Sequence, residues 1–150
     1  MAANSKREQI INKVVAEMGE VSTIASVLRR VPSREELGNF ALPQLPVCAI
    51  VGGLPVPVPH PVGRRSAGKD IFLSNLTVSL FVYFQDNVTP DTTLSSLLDD
   101  IWVKLYADET KGGLAINTTL TPTVSHDFWD PFYAFKLDAV IQYSHSKGGI

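Results

Sequence analysis

Residues 71–84 read IFLSNLTVSLFVYF, and this stretch decides the fold. Leu76, Val78, Leu80, Val82 and Phe84 alternate with Thr77, Ser79, Phe81 and Tyr83. A period of two places one row of side chains in a core and the other on the opposite face of a sheet. The spacing predicts a long strand over Ile71 to Phe84, with one face buried and the other partly covered.

Upstream, Ser5-Lys6-Arg7-Glu8 fits a capping box, in which the serine hydroxyl and the glutamate carboxylate each satisfy a free backbone N–H. Ile10, Ile11, Val14, Val15 and Met18 then recur at helical spacing, and Gly19 ends the run. Val21 to Val31 is small and β-branched and closes at Pro32; it reads as a strand, with a helical continuation as the competitor. Leu45 to Val51, LPVCAIV, reads as a short buried strand.

Downstream, Thr89 can cap a helix and Pro90 suits its first turn. Leu94, Leu97, Leu98, Ile101, Trp102 and Leu105 form its apolar stripe, with Asp91 near the positive end. Lys111-Gly112-Gly113 turns the chain into a threonine-rich alternation, Leu114 to Val124. A last one runs from Ala134 to Ser144, with Phe135, Leu137, Ala139, Ile141 and Tyr143 on one side. The predicted fold is α+β: a mostly antiparallel sheet of four to five strands, two helices packed on one face, and a long proline-rich loop inserted before the central strand.

At 150 residues the chain is the size of one domain, 1–150. It is 45% hydrophobic and 19% charged, without an apolar run near the ~20 residues of a membrane helix. The start, MAANSKREQ, is too polar for a signal peptide, which points to the cytoplasm. The sequons at Asn75, Asn87 and Asn117 carry little weight without secretion. Cys48 is the single cysteine, so no disulfide forms within the chain, and a net charge of -2 gives no general reason to expect nucleic acid as partner.

Gly52 to Asp70, GGLPVPVPHPVGRRSAGKD, is the least ordinary segment. As an interdomain linker it would leave an N-terminal piece of about fifty residues, too small to bury its own apolar surface. Gly63 to Lys69 satisfies G-x-x-x-x-G-K, but Asp70 stands where a phosphate loop needs Ser or Thr, and a strand rather than a helix follows. Pro55, Pro57, Pro59 and Pro61 make a stiff, extended root, and Arg64, Arg65 and Lys69 a basic tip, which together suit an arm that reaches a neighbouring subunit or partner. The competing description is a disordered surface loop. Phe128 and Trp129, with Phe132 and Tyr133 around Asp130-Pro131, either anchor an interface or fold back on the core.

Nothing else assembles into chemistry. His60, His126 and His145 lack the spacing of a metal site, adjacent Asp99 and Asp100 point about 100° apart on a helix, and Ser125-His126-Asp127 are neighbours that cannot hydrogen-bond as a triad. Cys48 lies in an apolar strand as an inert thiol. The expectation is no enzyme, no catalytic or metal residue and no cofactor.

With these elements in place the chain resembles the tail terminator proteins of long-tailed bacteriophages, also called minor tail or tail completion proteins. The resemblance lies in KREQIINKVVAEM running into VSTIASVLRRV, in LPVCAIVGG with its loop, in TLSSLLDDIWVKLYAD, in GGLAINTTLTPTV and in AFKLDAVIQYS. It covers nearly the whole chain as an order of elements, without an invariant motif, and the long proline insertion departs from the shortest members. It implies a virion protein of the tail and neck, assembled in the host cytoplasm as a homohexameric ring. Such a ring caps the tail tube, ends its polymerisation and meets the head-neck connector protein, while DNA passes through the lumen unread and no membrane is involved. The arm would then reach a neighbouring subunit, the tube or the neck. Alternatives are another neck or tail ring component, a tube or connector subunit, and a phosphate-binding enzyme using Gly63 to Lys69.

Overall fold

Ser5 opens helix α1, Lys6–Gly19, by accepting a hydrogen bond from the Glu8 N–H at 3.2 Å. Half of the expected capping box forms, because the Glu8 carboxylate turns outward to Arg29, 2.8 Å away, instead of reaching back to the helix start. The computed structural model describes residues 5–33, 35–36, 45–57, 65–66, 69–86, 88–123 and 133–146. The strands are β1 (Ser26–Leu28), β2 (Val47–Gly52), β3 (Val56–Pro57), β4 (Arg65–Ser66), β5 (Lys69–Phe84), β6 (Asn117–Thr123) and β7 (Tyr133–Ser146), with helix α2 (Pro90–Ala107) between β5 and β6.

Five strands lie side by side in the order β1-β2-β5-β7-β6, and the short β3 and β4 also pair with β5. Every pairing is antiparallel except β1 with β2. The predicted α+β architecture, with its central strand and its two helices on one face, is the architecture observed. Ile10, Ile11, Val14 and Met18 of α1 and Leu97, Ile101 and Leu105 of α2 share one core with the alternate row Leu76, Val78, Leu80, Val82 and Phe84 of β5. The matching row of β7, Phe135 to Tyr143, completes it.

Several boundaries differ from the sequence expectation, each for a local reason. The strand expected over Val21 to Val31 shrinks to Ser26–Leu28, since the N–H groups of Val21 and Ile24 bond back to Met18 and Val21 as turns. β5 begins at Lys69 rather than Ile71, because Lys69 and Asp70 pair with Ser66 and Arg65. β6 starts at Asn117 rather than Leu114, as the Ala115 N–H still closes the preceding turn on Thr110. The hydroxyl of Thr89 does not cap α2; Asp86 takes the Val88 and Thr89 N–H groups and the Thr93 hydroxyl.

A buried ion pair joins the helices. Lys111, fully buried, lies 3.1 Å from Glu17 Oε1 and donates to the carbonyls of Leu105 and Asp108, both at 2.9 Å, closing the C-terminal end of α2. Burial pushes the Glu17 carboxyl above its ordinary value, and the Lys111 ammonium opposes that shift. Lys111 sits at φ 51, and the reversal continues through Gly112 and Gly113 at φ 70 and 90, where a side chain would be strained.

Candidate functional site

The segment read as a proline loop is in part the second limb of a β-hairpin. After β2 ends at Gly52, Val56 and Pro57 pair with Asn75 and Ser74 on the edge of β5 that β2 occupies, and Arg65 and Ser66 pair with Asp70 and Lys69 at its start. Between β2 and β3 the register slips by one residue, and at the slip the Gly53 N–H still reaches the Thr77 carbonyl at 2.8 Å. A proline is tolerated in β3 because it is a two-residue strand paired with β5 alone among the described residues.

The hairpin has a rigid root. Arg7 on the first turn of α1 donates from Nε to the Gly53 carbonyl at 3.0 Å and from Nη2 to the Gly52 carbonyl at 3.1 Å. Beside it, Lys6 Nζ donates to the Ser144 carbonyl of β7 at 2.6 Å. α1 comes so close that a Cβ on Gly52 would lie 2.3 Å from Ile11 Cδ1, so a larger residue there would have to displace that methyl group. From this root outward Leu54 and Val56 are 82% and 61% exposed, apolar side chains that the core does not use.

Of the candidate residues, Pro55 is half-buried between β2 and β3 and Pro57 exposed in β3, while Arg65 and Lys69 have backbones in the hairpin pair β4 and β5. Pro59, Pro61, Arg64, Phe128 and Trp129 lie outside the described residues, as do Gly63, His60 and Ser125-His126-Asp127. The G-x-x-x-x-G-K match thus ends in a strand, so no helix N-terminus follows it to hold a phosphate. His145 falls in β7, opposite Phe72. Cys48 is fully buried in the core, and desolvation pushes its thiol up to about 12, which leaves it unreactive. No group of three or more His, Cys, Asp or Glu side chains able to hold a metal occurs among the described residues.

Asp99 and Asp100 diverge on α2: Asp100 accepts from the Thr23 hydroxyl at 2.9 Å, whereas Asp99 is exposed. Asp99 lines a shallow surface groove of ≈ 320 Å³ with Ser95, Leu98 and Trp102. Sequence reading did not single out this groove, because Leu98 and Trp102 belong to the same apolar stripe as Leu97, Ile101 and Leu105; both pack against the core but are only half-buried, which leaves part of each for the groove. On the sheet face away from the helices, Ser79 donates to Asp138 at 2.8 Å and Lys136 stands 5.6 Å over the Phe81 ring, a polar surface with a small apolar island around Ala49 and Tyr83. No helix is long and apolar enough to cross a membrane among the described residues. In comparisons with known proteins, no family model matches the chain and no curated protein matches it.

Proposed function

We propose that the protein is a structural virion component that closes into a ring on the end of a phage tail tube, ends the tube's polymerisation and joins the tail to the head-neck connector. The observation that carries the proposal is the hairpin, which leaves the apolar side chains of Leu54 and Val56 exposed and whose outer strand pair carries Arg65 and Lys69 in its sequence. Identical subunits joined head to tail form a closed ring when each offers one such surface and receives another. Support also comes from the sheet edges: β1 and β6 each pair on one side only among the described residues, and a neighbouring subunit is a common way to cover an unpaired edge.

On this reading the partners are further copies of the chain, the tail tube protein and the connector. DNA passes through the lumen without sequence readout, and a net charge of -2 suits a wall that must not grip it. No catalytic step or cofactor takes part. Native mass spectrometry with negative-stain imaging tests the proposal: six copies of 16.4 kDa should appear as an open ring of about 98 kDa, alone or on added tail tubes. Added to growing tubes, the protein should cap them and limit their length. Copolymerisation into the tube would identify a tube subunit instead, and the absence of any ring with or without tubes would overturn the proposal.

A further inference from the structure

We infer that the groove on α2 is the receiving site for the basic hairpin tip of a neighbouring copy, a specification that rests on the ring reading above. The helix presents Asp91, Ser95, Leu98, Asp99 and Trp102 at spacings of three and four, one continuous stripe that combines two exposed carboxylates with an indole and a leucine. Its neighbours are already engaged: Lys104 pairs with Glu20, and Asp100 holds Thr23. No ion pair takes up Asp91 or Asp99 among the described residues. A carboxylate beside an aromatic face suits a guanidinium, which hydrogen-bonds in its plane and stacks on the ring.

The complementary charge is in the same chain. In sequence, Arg64, Arg65 and Lys69 are accompanied by a single acidic neighbour, Asp70, and the backbones of Arg65 and Lys69 lie in the paired strands β4 and β5. A subunit cannot fill its own groove with this tip. The Tyr106 hydroxyl accepts the Leu120 N–H at 3.0 Å, and Leu120 stands opposite Ala139, which stands opposite Val78, so the C-terminal end of α2 lies level with Val78. Lys69 is nine residues farther along β5, about 30 Å at roughly 3.3 Å per residue. The groove lies on the other side of Tyr106, toward the start of the helix, so it is farther still from the tip. The occupant is therefore a second copy, and the contact is head to tail.

Charge reversal tests this directly. One variant carries Arg65→Glu and Lys69→Glu; the other carries Asp91→Lys and Asp99→Lys. Each variant alone should bring like charges together and weaken self-association about tenfold or more. An equimolar mixture should restore assembly, since each arm then meets a groove of opposite charge, and six places accommodate strict alternation. Recovery on mixing also proves that both variants fold. As a direct contact test, Ser66→Cys and Ser95→Cys chains mixed under mild oxidation should cross-link between copies, with Cys48 buried and out of the way. Assembly of either reversed variant at wild-type strength, or failure of the mixture to recover, overturns the inference. A wild-type ring that forms without the cross-link removes this contact and leaves the ring proposal standing. A cross-linked pair that never grows into a ring does the reverse.

Discussion

Strand β5 has two halves with different surroundings. From Leu76 to Phe84 its inward row is buried to 2% exposure or less beneath both helices, with β2 and β7 on its edges. From Ile71 to Asn75 it keeps β7 on one edge but has only the two-residue strand β3 on the other, and Lys69 and Asp70 pair with β4. Of its described side chains Ser74 is buried in the inward row, while Leu73 and Asn75, on the opposite face, are half-buried. The first half supplies the apolar burial that holds the fold, whereas the buried side chain described in the second is the small, polar Ser74, and backbone pairing and the cations at the root hold that half in place. Substitutions should therefore divide into those that cost folding and those that cost assembly.

The largest loss should follow Lys111→Ala, which strands the Glu17 carboxylate in the buried half. Breaking one partner of a buried pair typically costs about 3–5 kcal/mol, measured here as a shift in the denaturant midpoint. Because burial raises the Glu17 carboxyl in the folded state, the folded protein binds its proton more tightly than the unfolded chain does. The associated stability is present below the ordinary value of 4.5 and is lost as pH rises through the raised value. Without the ammonium that opposes the shift, stability of the variant should fall more steeply above that pH than stability of the wild type. Replacing both partners, Glu17→Leu with Lys111→Met, should recover most of the loss.

Next in size, Leu80→Ala in the covered half should cost about 3 kcal/mol, with a residual cavity under the helices. Leu73→Ala in the outer half should cost under about 1 kcal/mol, since the side chain is only half-buried and few atoms are withdrawn from packing. Leu73 also lies on the face away from the helices, so equal losses at the two positions would show that the outer half depends on packing on its other face.

The covered half was legible in the sequence, as was β5 itself from Ile71 onward, but the partners β3 and β4 of its outer half were not, for a physical reason. The alternation Leu76 to Phe84 and the stripe Leu97, Ile101 and Leu105 are marks left by burial, and burial is what periodicity reports. Strand pairing in β3 and β4 leaves no such mark, because it depends on backbone partners brought together by the turn, and prolines read as sheet breakers obscured it. The parallel pairing of β1 was hidden for the same reason. Glu17 did carry a signal, a carboxylate three residues from Val14 and seven from Ile10 on the apolar side of α1, which calls for a buried cation. Lys111 as that cation could not be foreseen from a Lys-Gly-Gly turn.

Smaller than the Leu80 loss is that expected at the root of the hairpin. Arg7→Ala removes two hydrogen bonds to the Gly52 and Gly53 carbonyls while leaving the core intact, so about 1.5 kcal/mol is the expected loss. Hydrogen exchange should localise it: faster exchange at Gly53 and in β3, with the amides of Leu76 to Phe84 unchanged. Uniform acceleration across β5 would mean that the root braces the whole sheet rather than the arm.

The smallest effect belongs to the turn that carries the chain from β5 into α2, and it appears only in acid. The Thr93 hydroxyl, followed by the N–H groups of Thr89 and Val88, all bond to the Asp86 carboxylate and pull it from 3.8 down to about 2. A depressed carboxyl stabilises the fold at pH values above its unfolded value, and that contribution drains away as pH falls from about 4 to about 2. Asp86→Asn keeps an acceptor but no charge, so its stability should lack this acid-sensitive step while differing little from wild type near pH 2. The loss at neutral pH should be confined to the first turn of α2, at the end of the sheet farthest from the hairpin tip, and self-association should be unaffected. A drop in assembly with Asp86→Asn would show that the helix start and the arm act together, and the two halves of β5 would then have to be treated as one mechanical unit.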